Sequence, residues 1–353
     1  MTTIKAPSKN YIIMSKKETK MQGEGTPVIA IVAGGDSSEH DVSLRSAAGI
    51  ESWLDKELFN VYIVEVSHKG WEAHLSDGTK AQVDRNDFSF TDTTAGKKVR
   101  PDYAYITIHG TPGENGILQG YFELLGIPYS SCDVLVAAMT FNKFVCNQYL
   151  KGFGIKVAES ILLRNEEVST EDIVARVGLP CFVKPNGAGS SFGVTKCKTA
   201  EDIQPAIAKA KEECEEVLIE SFLDGVELAN GVYRTRKTGT VVLPITEVVT
   251  HNEFFDYDAK YNGQVEEITP ARLSEDTTKR VQTITKAIYE ILGGSGIMRV
   301  DYIITKDGDK DVVNLLEINA TPGMTATSFI PQQVRAAGME MKQILTDIIQ
   351  EKL

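Results

Sequence analysis

Two segments near the C-terminus place charged and amide side chains within apolar runs. The segment "GIMRVDYII" (296–304) contains Arg299 and Asp301, and "VVNLLEINA" (312–320) contains Glu317 and Asn319. Residues two apart share one face of a strand, so the members of each pair point the same way. Burying an ionised carboxylate costs roughly several kcal/mol unless a positive charge lies beside it. The pattern therefore requires a lysine, an arginine or a metal ion near Glu317.

The loop "TKDGDK" between these segments predicts a β-hairpin that brings both pairs together. Two carboxylates and an amide supply the oxygen ligands that a hard cation such as Mg²⁺ prefers. The alternative is a cross-strand ion pair between Arg299 and Glu317, with Asp301 at an edge. Three oxygen ligands and an arginine exceed the needs of one ion pair, which favours metal binding.

A second candidate site is the glycine-rich segment "FVKPNGAGSSFGV" (182–194), which continues an apolar strand. Glycine lets the backbone approach a ligand closely, and its N–H groups can hold phosphate oxygens. Lys184 adds a positive charge at the end of the strand. The segment lacks Walker A spacing, and a β-hairpin made of small residues is the alternative interpretation.

The segment "EVLIESFLDGVE" (216–227) ends an apolar strand with acidic residues. Adenine needs an apolar slot with backbone hydrogen-bond partners, and ribose hydroxyls need a carboxylate. Glu220, Leu223 and Glu227 have a spacing that permits both contacts. Considered alone, the segment is better explained as an inter-domain linker.

Two loops complete the set of candidate functional segments. The segment "GGDSSEHDVSLRSA" (34–47) joins a Gly-Gly turn to a helix start, which can hold an anion. Glu39 and His40 can instead hold an ammonium group, and ordinary helix capping is an equally good explanation. The stretch "FFDYDAKYNG" (254–263) is typical of an exposed loop, although such a loop can also be a lid that excludes water.

Strand and helix patterns alternate between residues 28 and 126, which predicts βα units and a parallel sheet covered by helices. Ligands bind such a sheet beyond the carboxyl ends of its strands, where His109 and the loop "TPGENG" (111–116) fall. A smaller α+β pattern follows, and a third block begins near residue 216. We expect a flexible tail at 1–26, an N-terminal α/β substrate domain at 27–131, a central subdomain at 132–219 and a C-terminal subdomain at 220–353 with a lid loop at 251–270.

The composition is that of a globular protein, because 42% of the 353 residues are hydrophobic and 24% are charged. With 37 basic and 49 acidic residues the net charge is −12, which argues against binding nucleic acid or an anionic membrane. No apolar run approaches the roughly 18 residues of a membrane span. The five cysteines are scattered without a C-x-x-C pair, so we expect reduced thiols and a cytoplasmic protein.

Taken together, the motifs resemble those of the D-alanine–D-alanine ligases, which are ATP-grasp enzymes. The matching segments include "GGDSSEHDVSLRSA", "HGTPGENGILQGYFELLGIPY", "VKPNGAGSSFGV", "YDAKY", "RVDY" and "LLEINATPGMT", in family order over about residues 28–353. The resemblance implies a three-domain ATP-grasp fold, α/β plus α+β, with an N-terminal parallel-sheet domain and ATP between the central and C-terminal domains. It also implies ligation of two D-alanine molecules through a D-alanyl phosphate, for peptidoglycan precursor synthesis.

The resemblance further assigns roles to single residues of this chain. The implied ligands of two Mg²⁺ or Mn²⁺ ions are Asp301, Glu317 and Asn319. The implied ATP-binding residues are Lys143, Lys184, Ser191, Glu220, Phe222, Leu223, Glu227 and Lys260. The implied catalytic residues are Glu39, Ser190, Tyr261, Arg299 and Gly323, and the implied substrate-binding residues are His109, Ser328 and Phe329.

In this assignment Glu39 and His109 orient the first D-alanine, and Ser328 with Phe329 holds the carboxylate of the second. Family members are commonly dimers, so a homodimer is expected by analogy. Phe329 stands where the family more often has leucine, and Asn115 stands where an aspartate is usual. The alternatives are a D-alanine–D-lactate ligase or another ATP-grasp carboxylate–amine ligase, and a non-catalytic nucleotide-binding protein on the same fold. Tyr261 in the lid fits the dipeptide-forming members better.

Overall fold

The computed structural model describes residues 25–37, 39–164, 168–187, 192–250 and 265–353. Three large sheets, a two-stranded sheet and the helices packed on them organise these residues. Within the described ranges, every helix is too short or too polar to cross a membrane.

The N-terminal sheet is mixed rather than parallel throughout. The strands of this part are β1 (Val28–Gly34), β2 (Asn60–Ser67), β3 (Gly70–His74), β4 (Lys80–Gln82), β5 (Phe90–Asp92), β6 (Lys97–Val99) and β7 (Tyr103–Ile106). β1 pairs in parallel with β2 and β7, as the alternating pattern predicts, and β5 pairs only with β6. β3 and β4 add to the sheet in antiparallel order, because the tight turn before Gly70 reverses the chain without a helical crossover.

Two helices belong to this part of the chain. They are α1 (His40–Trp53) and α2 (Ile117–Leu125). α2 is closed by Gly126, whose positive φ of 66° is a backbone conformation that glycine adopts readily. α1 begins at the carboxyl end of β1, so its first turn lies where a ligand of a parallel sheet binds.

The central part is a four-stranded antiparallel sheet with short helices. Its elements are α3 (Val134–Phe141), α4 (Lys143–Lys151), β8 (Ser160–Leu163), α5 (Thr170–Val177), β9 (Cys181–Pro185), β10 (Thr195–Cys197), a 3₁₀ turn (Ala200–Asp202), α6 (Ile203–Lys211) and β11 (Val217–Ser221). The strand order is β10-β9-β11-β8. The sequence pattern after residue 135 predicts one helix to about Leu150. Asn142 divides it, because its side chain accepts a hydrogen bond from Val145 N and so starts α4.

The C-terminal part is a five-stranded antiparallel sheet. Its elements are β12 (Val226–Thr235), β13 (Gly239–Thr250), β14 (Val265–Ile268), α7 (Glu275–Leu292), β15 (Ile297–Asp307), β16 (Lys310–Asn319), α8 (Phe329–Ala336) and α9 (Met341–Gln350). The strand order is β14-β13-β12-β15-β16. The predicted hairpin is therefore confirmed as β15 and β16, and its register shifts between Asp301 and Tyr302.

A shared hydrophobic core joins the first and third sheets. It contains Ile31 of β1, Tyr103 of β7, Leu243 of β13 and Leu345 of α9, all nearly inaccessible to solvent. The core holds α1 against the segment that follows β16, where Met324 N donates a hydrogen bond to Ser46 Oγ at 3.2 Å. The candidate segment 34–47 is thereby brought beside the segment that contains the predicted site residues Gly323, Ser328 and Phe329.

Gly49 permits this close approach of α1. A Cβ atom at this position would lie 2.4 Å from the carbonyl oxygen of Met324. Gly49→Ala should therefore lower the free energy of unfolding by about 1–2 kcal/mol, although alanine normally favours a helix interior. Chemical denaturation measures the change. The matched control is Gly120→Ala in α2, where the nearest atom would be 3.9 Å away, and it should stabilise the protein; equal stabilisation by both would contradict the prediction.

Candidate active site

A cavity of about 800 Å³ lies between the three sheets. Every predicted site residue that the structure describes lines this cavity, namely Glu39, His109, Lys143, Lys184, Glu220, Phe222, Leu223, Glu227, Arg299, Asp301, Glu317, Asn319, Gly323, Ser328 and Phe329. The other predicted site residues, Ser190, Ser191, Lys260 and Tyr261, lie outside the described residues, as does most of the expected lid loop.

The β15–β16 pairing places the two polar pairs directly opposite each other. Arg299 faces Asn319, and Asp301 faces Glu317. Arg299 Nε and Nη2 donate to the two carboxylate oxygens of Asp301 at 2.8 and 2.7 Å, so the arginine pairs within its own strand rather than across to Glu317. Burial opposes the charge of Arg299, but the Asp301 carboxylate outweighs it and raises the pKa of the arginine.

Glu317 is partly buried rather than fully buried, and Lys143 lies beside it. Lys143 Nζ is 3.6 Å from Glu317 Oε2. Lys143 is the first residue of α4, and Asn186 fixes this helix start, because its Oδ1 accepts a hydrogen bond from Phe144 N at 2.9 Å. The negative charges of the two hairpin carboxylates are thus balanced by an arginine and a lysine. This is one of the alternatives that the sequence pattern allowed for a buried carboxylate.

The donor set on the hairpin also fits a hard divalent cation. Within the described ranges, no three histidine, cysteine or acidic side chains are arranged to hold a metal ion by themselves. Mg²⁺, however, commonly takes one or two carboxylates and completes its shell with water and phosphate oxygens. Asp301, Glu317 and Asn319 present two carboxylates and an amide to one cavity wall, which is the part that protein would supply.

The central sheet supplies a buried ion pair. Lys184 of β9 and Glu220 of β11 are 7% and 4% exposed, and their charged groups are in direct contact. A buried pair is tolerated only when both charges are matched, so each residue holds the other in place. Beside this pair, the rings of Phe182 and Phe222 lie 6.0 Å apart and form an apolar wall of the cavity.

The N-terminal wall carries Glu39 and His109. Glu39 is the N-cap residue of α1, yet its side chain makes no capping hydrogen bond, so helix capping does not account for it. His109 is buried, and its Nε2 has no hydrogen-bond partner among the described residues. Burial lowers the pKa of His109, although the charge of Glu39 opposes this effect, and the imidazole is therefore neutral at pH 7. A buried nitrogen without a partner points to a ligand.

The fourth wall is formed by the segment after β16. Gly323 lies so close to Ser328 that a Cβ atom there would be 3.0 Å from the serine Oγ. Ser328 is the N-cap residue of α8, and its side chain contacts Thr325 rather than capping the helix. The Arg299 guanidinium carbon lies 5.2 Å from the centre of the Phe329 ring, so the phenylalanine that replaces the family's more common leucine contacts a predicted catalytic residue.

Sequence reasoning missed five charged residues of this cavity, which are Arg45, Glu114, Asp224, Glu247 and Glu267. Glu114 lies in the "TPGENG" loop, whose position after a strand was a signal that could have identified it. Glu114 Oε2 accepts a hydrogen bond from Gly110 N at 2.7 Å. Loss of hydration, reinforced by the charge of Glu39, raises the pKa of Glu114 to about 8. Arg45 and Asp224 lie in the candidate functional segments 34–47 and 216–227, whereas Glu247 and Glu267 carry no comparable sequence signal.

The raised pKa of Glu114 predicts a pH dependence of stability. Between its ordinary pKa and about 8, the folded protein keeps a proton that the unfolded chain releases, so stability falls as pH rises. Glu114→Gln cannot ionise and should gain on the order of 2 kcal/mol over wild type between pH 5 and pH 8. Denaturation of metal-free protein at both pH values tests this. The exposed Glu57→Gln serves as control, and a gain of the same size there would refute the assignment.

The chain is similar to known proteins of one family over most of its length. Profiles described as D-ala D-ala ligase N-terminus and C-terminus match residues 28–132 and 149–350. Proteins named D-alanine–D-alanine ligase from Bacteroides fragilis and Phocaeicola vulgatus are 66% and 67% identical over 325 residues, or 92% of this chain and 98% of each relative. The enzyme of that name from Porphyromonas gingivalis is 55% identical over 329 residues, or 93% of this chain and 98% of the relative.

Solved structures of similar fold are more distant in sequence. The VanG D-Ala:D-Ser ligase from Enterococcus faecalis has a TM-score of 0.81 at 29% identity, covering 93% of this chain and 100% of that one. D-alanyl-alanine synthetase A from Vibrio cholerae has a TM-score of 0.81 at 28% identity, covering 93% and 98%. The Bacillus anthracis D-alanine–D-alanine ligase complexed with ATP has a TM-score of 0.72 at 27% identity, covering 92% and 97%. The predicted ATP-grasp fold is confirmed, and the chain belongs to the D-alanine–D-alanine ligase family.

Proposed function

We propose that this protein uses ATP to join two D-alanine molecules into D-alanyl-D-alanine through a D-alanyl phosphate, for peptidoglycan precursor synthesis. The observation that carries the proposal is the convergence of Arg299, Asp301, Glu317 and two lysines on one cavity in a chain of this family. The proposal includes the domain division at 27–131, 132–219 and 220–353, which the three separate sheets support. It also includes a cytoplasmic homodimer, by analogy with the family.

The first step activates a carboxylate, because oxide is too poor a leaving group for direct amide formation. Transfer of the ATP γ-phosphoryl group to the first D-alanine makes phosphate, instead of oxide, the leaving group. In this proposal Lys143 and Lys184 neutralise phosphate charge, and Lys260 of the lid reaches the γ-phosphate. Phe182 and Phe222 cover the adenine with Leu223, while Glu220 and Glu227 bind adenine and ribose.

Asp301, Glu317 and Asn319 are the residues that would hold two Mg²⁺ or Mn²⁺ ions. Such ions, when bound, offset the charge on the transferring phosphoryl group. The protein's own contribution is to hold the three oxygen donors on one rigid hairpin, so that little reorganisation is needed.

Glu39 and His109 orient the first D-alanine in this proposal. A carboxylate at the start of α1 can accept hydrogen bonds from the ammonium group, and the neutral imidazole can contact the substrate carboxylate. The partnerless Nε2 of His109 supports that role. Ser190 and Tyr261 would close the lid over Glu39 and protect the acyl phosphate from water.

In the second step the amine of the second D-alanine attacks the acyl carbon, and negative charge grows on the carbonyl oxygen. Arg299 and the Gly323 backbone N–H would stabilise that oxygen, an effect worth about 3–4 kcal/mol in other oxyanion sites. Ser328 and Phe329 would hold the second carboxylate at the start of α8, where backbone N–H groups favour an anion.

A second candidate function is ligation of D-alanine to another second substrate, such as D-lactate. The observation that favours it is Phe329, whose ring lies beside Arg299 and differs in size and shape from the leucine that is more common in the family. The lid residue Tyr261 favours dipeptide formation instead.

Glu317→Gln tests the proposed metal ligand. The variant should fold normally but turn over roughly 100-fold more slowly or worse, because a charged ligand at the transferring phosphoryl group is lost. Asp309→Asn, at the exposed turn of the same hairpin, is the matched control and should retain activity. Normal turnover of Glu317→Gln with Mg²⁺ would refute the assignment.

Phosphate release from ATP with D-alanine, L-alanine, or D-alanine plus D-lactate tests the function itself, with products identified by mass. We expect release that depends on D-alanine and yields D-alanyl-D-alanine. D-alanyl-D-lactate as the main product would overturn the choice of acceptor. No release with any alanine from folded protein would overturn the substrate assignment.

A further inference from the structure

The second substrate presents a chemical problem that the residues discussed above do not solve. Free D-alanine carries an ammonium group at neutral pH, and an ammonium nitrogen has no lone pair with which to attack an acyl phosphate. A group near the second subsite must therefore accept a proton from it. This inference rests on the proposed function, because it concerns the acceptor of that reaction.

Most acidic side chains of the cavity are unsuitable as this proton acceptor, because they already pair with a cation or lie away from the second subsite. Asp301 is engaged by Arg299, Glu220 by Lys184 and Glu247 by Arg272, whose Nη2 is 2.6 Å from Glu247 Oε1. Glu317 lies beside Lys143. Glu39 and Glu114 belong to the wall of the first substrate, and the remaining acids at the nucleoside end are Asp224 and Glu227.

Among the described residues, Glu267 is the acid that lies beside the second subsite. It stands in β14 opposite Val248 of β13, and it lines the cavity. Gln332 Nε2 donates one hydrogen bond to the Glu267 carboxylate and another to Thr327 O at 2.7 Å. Thr327 directly precedes Ser328, so the carboxylate is fixed at the first turn of α8.

The charge environment of Glu267 is suitable for a base. Glu267 is exposed to solvent and lines the cavity. The surrounding protein nevertheless removes part of the hydration of the carboxylate, and this loss raises the pKa of Glu267 above its ordinary value. The hydrogen bond from Gln332 and the charge of Arg299 on β15 limit the rise, and Val248 adds no charge. Above this raised pKa the carboxylate is ionised and can accept a proton, so the rate that depends on it should increase with pH through that value.

We propose that Glu267 is the catalytic base that binds and deprotonates the ammonium group of the second D-alanine. One ammonium proton passes to the Glu267 carboxylate, which frees the nitrogen lone pair. The nitrogen then forms a C–N bond with the acyl carbon, while the bond from that carbon to the phosphate oxygen breaks and phosphate leaves with the electron pair. The nitrogen's second proton goes to the departing phosphate, and Glu267 returns its proton to water.

Hydroxylamine provides a test that separates this step from the formation of the acyl phosphate. It is uncharged at neutral pH, so it traps D-alanyl phosphate as the hydroxamate without needing a base. Glu267→Gln should form D-alanyl-D-alanine about 100-fold more slowly at neutral pH, while hydroxamate formation from D-alanine and ATP stays at the wild-type rate. Glu267→Asp, which keeps a carboxylate, should restore dipeptide formation in part and keep its rise with pH.

Glu266→Gln is the matched control, because Glu266 is exposed on the same strand and does not line the cavity. It should behave as wild type in both assays, and thermal melting should show that all variants are folded. Dipeptide formation by Glu267→Gln at the wild-type rate would overturn the proposal, and so would equal loss of dipeptide and hydroxamate. If wild type itself formed neither product, the proposed function would fail instead.

Discussion

The pairing of β15 with β16 is the constraint on which the rest of the site depends. It sets Arg299, Asp301, Glu317 and Asn319 on one face of a hairpin whose other face is packed into a hydrophobic core. A partly buried face with this many charged groups is stable only if each charge lies beside an opposite charge. The bidentate contact of Arg299 with Asp301 and the approach of Lys143 to Glu317 supply these opposite charges within the described residues.

No single sheet contains a complete site. The hairpin brings oxygen donors and an arginine, the central sheet brings the lysine and apolar rings, and the first sheet brings the start of α1 and His109. The cavity exists because a shared core joins the first and third sheets, and because α4 carries Lys143 from the central part towards the hairpin. Stability and function are therefore coupled through the contacts between these parts.

The sequence predicted which residues form the site better than it predicted the contacts that these residues make. Apolar periodicity and a short turn were sufficient for the β15–β16 hairpin, because both signals are local. The division of a helix at Asn142 was missed, since one capping side chain outweighs an otherwise helical pattern. The antiparallel β3 and β4 were missed because short edge strands carry little periodicity. Glu267 was missed because its role depends on Gln332, a residue distant in sequence that only the fold brings near.

The buried contact between Lys184 and Glu220 restricts how this part of the cavity can evolve. Removing either charge alone would leave the other one buried between β9 and β11, at a cost of about 3–5 kcal/mol. Removing both together would spare the fold but would also remove the positive charge from the cavity wall. Sequences that keep this architecture should consequently retain both residues or replace both at once, so that the two positions covary.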